Sequence, residues 1–310
     1  MRHFLCIQDC TVKELEDLLA LSAELKLRHR RGKLQSTLAG KILAMVFEKA
    51  SLRTRMSFQV AMADLGGLAI NLKPDDIGIL GQREPVKDIA RVLGRYVHGI
   101  MARTYTHQTL LELAQYAGVP VINALSDWSH PCQAMADLLT IQEHCGRLAG
   151  VKLTFIGDGN NVARALAFAS AKFGMQMTVA SPVGYELDPD TIKAANEHGP
   201  CLVQIRDPVE AVRGADVIYT DTWVSMGQEQ ETADRIRAFT GYQVNSELLR
   251  HSPKAKIMHC LPAHRGHEIT DEAAESPHSV IFDQAENRLH FQRALLQILL
   301  ASSANICTTA

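Results

Sequence analysis

Short apolar runs alternate along the chain with segments of helical periodicity. The first run, at 41–47, reads KILAMVF and has no polar residue after its first position, which is typical of a strand buried on both faces of a parallel sheet. Before it, residues 11–25 carry leucines at roughly helical spacing behind a Thr11–Glu14 capping pattern, and they predict an opening helix. Because a strand buried on both faces needs helices above and below it, the start of the chain predicts an α/β fold.

The same alternation continues to the end of the chain. Further strands are predicted at 68–72, 99–102, 119–123, 151–156, 177–180, 202–205, 217–220 and 257–260, with one more edge strand at 279–282. Helical patterns lie between most of them, and the last helix is predicted from about Glu286 to Ser302. This order predicts parallel sheets that are covered by helices on both faces.

The pattern starts again around Cys145–Gly150, and we place a domain boundary there. A chain of 310 residues is too long for one ordinary core and suits two α/β domains. We therefore predict two doubly wound domains, each with a central parallel sheet, at 1–147 and 148–285.

The amino-acid composition limits which classes of protein and which kinds of binding partner fit this chain. Hydrophobic residues at 46% and charged residues at 21% fit a soluble globular protein, and a net charge of -2 gives no general attraction to nucleic acid or to a membrane. Seven cysteines without a C-x-x-C pair predict neither a zinc site nor a disulfide framework, and they fit a reducing compartment. The start of the chain does not resemble a signal peptide, and no apolar run reaches membrane-spanning length, so we expect a cytoplasmic protein.

Basic and hydroxyl residues follow three predicted strands of the first domain. The segment SLRTR at 51–55 follows the first strand, Arg103 follows the third, and His130 follows the fourth, just before Pro131 at a helix start. Carboxyl ends of parallel strands share one edge of a sheet, where helix N-termini point free N–H groups. Arginine forks and short hydroxyls at such an edge suit a phosphate. Taken singly, each segment also fits a solvated helix start or a structural histidine. The residues alone thus predict an anion-binding protein and leave its reaction undecided.

Three motifs, in this order and at these separations, make the chain resemble the aspartate/ornithine carbamoyltransferases. They are S-x-R-T-R at 51–55, H-P-C-Q at 130–133 and H-C-L-P at 259–262, and D-T-W-V-S-M-G at 221–227 resembles the loop of the ornithine branch. The resemblance implies transfer of the carbamoyl group of carbamoyl phosphate to the δ-amino group of L-ornithine, giving L-citrulline and phosphate. It also implies that 1–147 binds carbamoyl phosphate, that 148–285 binds ornithine, and that the C-terminal helix, within 286–310, returns to the first domain.

The resemblance assigns roles to individual residues. The catalytic residues would be Arg103, His130, Asp221 and Cys260. Carbamoyl phosphate would be bound by Ser51, Leu52, Arg53, Thr54, Arg103, His130, Gln133, Cys260, Leu261 and Arg288. Ornithine would be bound by Asn161, Asp221, Ser225 and Met226. The family's chemistry implies no metal and no cofactor, and its assembly implies a homotrimer or a higher multiple of trimers.

Two positions depart from the usual family pattern. Leu52 stands where threonine is common in the phosphate-binding segment. Ile79 stands where glutamine or histidine usually precedes the Leu-Gly of a loop that reaches a neighbouring subunit. Both departures bear on the affinity for phosphate and leave the type of reaction unchanged.

Other functions stay open on the sequence. The GDGNNV segment at 157–162 follows a strand and opens a helix, as a dinucleotide-binding turn does, but it lacks the third glycine and the later acidic residue. A nicotinamide dehydrogenase is therefore the more distant alternative. Nearer alternatives are sister transferases that use putrescine, aspartate or N-acetylornithine. A binding protein or an inactive homologue would keep the fold and lose the chemistry.

Overall fold

The chain divides into two compact units in the computed structural model, which describes residues 1–73, 78–199, 201–224 and 229–301. One unit is formed by Met1–Leu139 together with the chain from Asn287, and the other by Thr140–Glu286. Each unit is built around its own parallel β-sheet. Within the described ranges, no helix is both long enough and apolar enough to cross a membrane.

The described residues form nine strands. These are β1 (Ile42–Phe47), β2 (Leu68–Leu72), β3 (Gly99–Arg103), β4 (Val121–Leu125), β5 (Lys152–Ile156), β6 (Gln176–Ala180), β7 (Leu202–Ile205), β8 (Val217–Thr220) and β9 (Lys256–His259). The predicted strands therefore exist, apart from the one expected at 279–282.

Twelve α-helices lie before, between and after these strands in the same part of the chain. They are α1 (Val12–Arg30), α2 (Leu52–Asp64), α3 (Val86–Tyr96), α4 (His107–Tyr116), α5 (Pro131–Cys145), α6 (Asn161–Lys172), α7 (Pro189–Ala195), α8 (Pro208–Val212), α9 (Thr232–Ala238), α10 (Ser246–Leu249), α11 (Asp271–Ala274) and α12 (Ile281–Leu296). Thr11 caps α1 in the predicted capping box with Glu14.

The strand order of each sheet reverses once. The first sheet runs β2-β1-β3-β4 and the second β7-β6-β5-β8-β9, with all pairs parallel. The reversals lie between β1 and β3, where Phe47 is opposite Arg103, and between β5 and β8, where Ile156 is opposite Thr220. Ligands of α/β proteins bind at the carboxyl ends of strands beside such a reversal. Each unit therefore has one defined place for a site, and the predicted α/β fold with two parallel sheets is confirmed.

Apolar side chains on each sheet explain why the strands read as continuous hydrophobic runs. In the first unit, Ala44 and Val46 of β1 belong to a buried cluster with Ile89 of α3 and Leu110 of α4. In the second unit, Ile156, Ile218 and Ile257 belong to a buried cluster that includes residues of α8 and α10. Burying such side chains is worth roughly 1.5–3 kcal/mol each and holds the strand ends in place.

The C-terminal helix α12 packs, from Asn287 onward, within the first unit. Phe291 lies 5.7 Å from Phe4, measured between ring centroids, and Lys26 Nζ donates to Asn287 Oδ1 at 2.7 Å. The wholly buried Arg293 donates from Nε to Asp64 Oδ2, at the end of α2, at 2.9 Å. A buried guanidinium persists only where it is paired, so this contact fixes the helix against α2. The predicted return of the helix to the first unit is confirmed.

The edge strand predicted at 279–282 is wrong. Ser279 forms only an isolated bridge with Ile257, and α12 already begins at Ile281, before the predicted start at Glu286. The run Val280–Phe282 is short, apolar and partly β-branched, and such a run cannot be told from the first turn of a helix by periodicity.

Candidate functional site

The SLRTR segment forms the start of α2, directly beyond the carboxyl end of β1. Ser51 is the N-cap residue, and its hydroxyl accepts a hydrogen bond from the Thr54 backbone N–H at 3.3 Å. The Thr54 side chain is buried, and its hydroxyl accepts a hydrogen bond from Arg288 Nη2 at 2.8 Å. Arg53 is half-buried, whereas the Leu52 side chain is 73% exposed. The predicted helix N-terminus, with its hydroxyls and an arginine, is therefore present.

Three basic residues are buried close together in the first unit. Arg103 ends β3, His130 precedes α5, and Arg288 lies on α12. Burial lowers the pKa of His130 well below its usual value, and the positive charges of Arg288 and Arg103 lower it further. The His130 imidazole is therefore neutral, and the positive charge at this edge belongs to the arginines. Such a group of residues suits an anionic ligand.

At the start of α5, His130 Nδ1 and Gln133 Oε1 are among the buried polar atoms that have no hydrogen-bond partner within the described ranges. Gln133 Nε2 donates to Asp137 Oδ1 at 2.7 Å, and because a carboxylate only accepts, the amide nitrogen must face Asp137. The amide oxygen then points the other way. Buried polar atoms without partners are costly, so these two are candidates for contact with a ligand.

Glu48 fastens two loops to the end of β1, a role that the sequence analysis missed. Its Oε1 accepts from the Leu80 N–H at 3.2 Å, and its Oε2 accepts from the Tyr105 N–H at 2.7 Å. The first of these loops carries Ile79, one of the two departures from the family pattern, which is 38% exposed.

Asp221 lies directly after β8, at the reversal of the second sheet. Its Oδ1 accepts from the Cys260 thiol at 2.9 Å and from the Thr222 N–H at 2.8 Å. Its Oδ2 accepts from Asn160 Nδ2 at 2.9 Å. All three donors are neutral, so the carboxylate is oriented without being neutralised. In the contact with Cys260, the sulfur is the donor and the carboxylate the acceptor.

Asn160, which precedes the predicted Asn161, holds the Asp221 carboxylate and the start of α6 together. Its Oδ1 accepts from the backbone N–H groups of Val162 and Ala163 at 2.9 and 3.1 Å. That cap fixes the direction of its amide nitrogen, which faces Asp221. A strand followed by Gly-Asn-Asn at a helix start could have indicated this cap from the sequence, but not its bond to Asp221.

The His259 ring supports the segment that carries Cys260. Its Nδ1 accepts from the Leu261 N–H at 2.8 Å, and its Nε2 lies 3.1 Å from Oε1 of the buried Glu268. Leu261 has a positive φ of 59° and precedes a cis peptide bond to Pro262. Side-chain atoms of Asp221, His259 and Cys260 lie within 4.8 Å of one another and form a donor set that a metal ion could use. Both His259 nitrogens are already engaged, so a metal there would have to displace one of these contacts.

The predicted site residues fall into two groups. The first unit brings together Ser51, Arg53, Thr54, Arg103, His130, Gln133 and Arg288 around the ends of β1 and β3. The second brings together Asn161, Asp221, Cys260 and Leu261 around the ends of β5 and β8. Ser225 and Met226 lie outside the described residues. The contacts of these residues with substrates stay predictions.

Both halves of the chain match known protein domains. Residues 2–143 match the carbamoyl-P binding domain of aspartate/ornithine carbamoyltransferase, and residues 149–299 match its Asp/Orn binding domain. The chain belongs to the aspartate/ornithine carbamoyltransferase family. The resemblance that the three motifs indicated is thereby confirmed.

Individual members of the family are similar over almost the whole length. The ornithine carbamoyltransferase of Carboxydothermus hydrogenoformans is 52% identical over 304 residues, which cover 96% of this chain and 97% of that protein. That of Archaeoglobus fulgidus is 51% identical over 307 residues, which cover 99% of this chain and 100% of that protein. The solved structure of the Pyrococcus furiosus ornithine carbamoyltransferase has a TM-score of 0.93 at 51% identity, covering 96% of this chain and 97% of that one.

We predict that His130 stays neutral across the range in which an ordinary histidine titrates, because burial and two arginines oppose its protonation. NMR of histidine-labelled protein without substrates, compared with a His130→Gln variant for assignment, would follow its ring. The His130 signal should keep its neutral shift from about pH 8 down to about pH 6. A titration midpoint at or above about 6.5 would contradict this assignment.

Proposed function

We propose that the protein transfers the carbamoyl group of carbamoyl phosphate to the δ-amino group of L-ornithine, giving L-citrulline and phosphate. The observation that carries the proposal is that one chain combines two complementary groups of residues. The first is a buried cluster of arginines with a neutral histidine, and the second is a carboxylate oriented by neutral donors. The first suits a phosphate and the second an amine. Relatives that carry the name ornithine carbamoyltransferase are 51–52% identical.

Carbamoyl phosphate is the ligand that we assign to the first domain, which we predict to consist of residues 1–147 and the C-terminal segment 286–310. Its phosphate would lie at the start of α2, where Ser51, Arg53 and the Leu52 N–H combine charge, hydroxyl and helix dipole. Gln133 Oε1 is a suitable acceptor for the carbamoyl NH₂ because the opposite end of that amide is bound to Asp137. The remaining assigned residues are Thr54, Arg103, His130, Cys260, Leu261 and Arg288.

Ornithine is the ligand that we assign to the second domain, predicted at 148–285. The Asp221 carboxylate would attract the amino groups of ornithine, and the Cys260 thiol, which it orients, would help to direct the δ-nitrogen. Asn161 would bind at the adjoining helix start. Ser225 and Met226 are assigned from the D-T-W-V-S-M-G pattern alone.

The proposed reaction is a direct displacement. The δ-amino group attacks only when it is neutral, so it must first lose one proton. Its nitrogen then bonds to the carbamoyl carbon as the bond from that carbon to the phosphate oxygen breaks. The same nitrogen gives up a second proton, which the departing phosphate can accept. Thr54, Arg103 and His130 would donate to the carbonyl oxygen as charge develops there, and Arg53 would stabilise the departing phosphate. Positioning two bound substrates would supply much of the rate.

A panel of four acceptors tests the proposed reaction. The protein is incubated with carbamoyl phosphate and L-ornithine, putrescine, L-aspartate or N-acetyl-L-ornithine, and both the carbamoylated product and released phosphate are measured. We expect citrulline from ornithine, with one phosphate released for each citrulline formed. Activity with putrescine and none with ornithine would overturn the acceptor assignment. Transfer to none of the four would overturn the reaction itself.

Two substitutions should separate the substrates. Arg53→Ala removes a charged fork and should raise the KM for carbamoyl phosphate, whereas Asp221→Asn removes a charge at similar size and should raise the KM for ornithine. Loss of a charged hydrogen bond costs about 1.5–3 kcal/mol, so each rise should be roughly ten- to hundredfold. Each variant serves as the control for the other. A selective loss of carbamoyl phosphate binding in Asp221→Asn would contradict the assignment of the two domains.

We propose a homotrimer, or a higher multiple of trimers. Support comes from apolar side chains exposed on α2 and on the edge strand β2, namely Leu52, Met56, Leu68 and Ile70. Apolar residues on an unpaired sheet edge are typical of an association surface.

Sedimentation velocity should give a trimer mass, and Ile70→Glu should shift the protein towards smaller species with loss of activity. A fully active monomer would refute the arrangement.

The state of the cysteines supports a proposal about the cellular compartment of the protein. None of the six in the described part of the chain forms a disulfide. Burial raises the pKa of Cys132 to about 12 and also raises the pKa of Cys145 and Cys201, so these thiols stay protonated. Unreactive free thiols fit a reducing compartment, and we propose the cytoplasm, which cell fractionation would test.

A further inference from the structure

Arg235, on α9, is buried among residues to which no role has been assigned. Only 6% of it is exposed. Its Nη1 donates to Asp158 Oδ2 at 2.7 Å and to the Trp223 carbonyl oxygen at 3.0 Å. Its Nε donates to Glu231 at 2.9 Å, and its guanidinium carbon lies 4.9 Å from the centroid of the Tyr185 ring. A single side chain thus joins three segments of the second unit.

Two of these segments flank the hydrogen bond that orients Asp221. Asp158 lies two residues before Asn160, and Trp223 lies two residues after Asp221. The Asn160–Asp221 bond and the two bonds from Arg235 Nη1 therefore close a ring that runs through both loops. We call this closed path the Arg235 ring. Within this ring, Asp221 is the residue that we propose to contact the amine.

The Arg235 ring has little freedom to adjust. A Cβ at Gly159 would lie 2.3 Å from the Leu187 backbone nitrogen, and the Gly159 N–H donates to the Tyr185 carbonyl oxygen at 2.7 Å. The loop at 158–160 therefore packs closely against the segment 185–187, which also provides the Tyr185 ring. On the other loop, the Trp223 ring stacks on Phe239 at 5.4 Å. Shifts of Asp158 or Trp223 should therefore pass to Asn160 and Asp221.

We propose that Arg235 is a positioning residue for the acceptor amine, an inference that rests on the proposed function. It acts through Asp158 and Trp223, which hold Asn160 and Asp221 in the orientation that ornithine requires. The physical reason is that a buried carboxylate and a buried guanidinium each need the other. Removing Arg235 leaves Asp158 buried without this ion pair and frees the Trp223 carbonyl, so both loops relax.

A purely structural ion pair would behave differently. It would lower stability and reduce the fraction of active protein, and the KM values of the remaining active protein would not change. A positioning role predicts a selective rise in the KM for ornithine, with the KM for carbamoyl phosphate almost unchanged. The two roles are therefore separated by steady-state kinetics on folded protein.

The test compares three substitutions on α9 in the full chain. In Arg235→Met, which keeps the apolar stem, the KM for ornithine should rise by about ten- to hundredfold, as expected for a small misplacement of a binding group. Arg235→Lys should show a smaller rise, because an ammonium keeps the charge beside Asp158 but not the planar fork. Arg237→Met is the matched control, since Arg237 pairs with Asp234 at the exposed surface of the same helix, and it should match the unaltered protein.

Circular dichroism and sedimentation would establish that each variant is folded. An unchanged KM for ornithine in folded Arg235→Met would overturn the inference, as would equal rises for both substrates. If Arg235→Met does not fold, Asp158→Ala breaks the ring from its other side while Arg235 keeps Glu231 as an ionic partner. The same selective rise there would support the inference, and an unchanged KM would overturn it. Failure of the unaltered protein to make citrulline would instead refute the proposed function, so the two failures are distinct.

Discussion

Parallel pairing of the strands is the constraint on which both groups of site residues depend. Because β1 and β3 are parallel and in register, Phe47 lies opposite Arg103, and the residues that follow each strand leave the sheet at one edge. The same pairing of β5 with β8 sets Ile156 opposite Thr220, and thereby brings Asn160 to Asp221. A slip of either pairing would separate residues that lie more than fifty positions apart in the chain. The apolar cores of the two sheets therefore stabilise the fold and also keep the site residues in place.

The two edges differ in how their polar groups are arranged, and the difference matches the proposed ligands. At the first edge, burial and the charge of two arginines lower the pKa of His130, and His130 Nδ1 and Gln133 Oε1 have no partner in the described part of the chain. At the second edge, the Asp221 carboxylate accepts three hydrogen bonds, all from neutral groups. A dianionic phosphate gains most from the first arrangement, and a cationic amine gains most from the second.

Buried ionic groups recur wherever a loop or a helix must be held at a defined place. Arg293 fastens α12 to α2, His259 and Glu268 hold the segment of Cys260 and Leu261, and Arg235 joins the loops around Asp221. Each such group is costly unless it is paired, so each allows one local geometry and disfavours others. Fixed local geometry is what a displacement reaction between two bound substrates requires.

The sequence by itself determined the fold class, most element positions and the motifs of both edges. It could do so because buried parallel strands read as apolar runs, and because a cap such as Ser51 acts within one turn of helix. It was wrong at 279–282, where a short apolar run begins α12. Only the tertiary structure decided which distant side chains meet, including Asn160 with Asp221 and Asp158 with Arg235. Both pairs depend on how β5, β8 and α9 pack in space, and no local pattern of residues encodes that. Asp137, by contrast, lies one helical turn from Gln133, so their contact was within reach of a local reading.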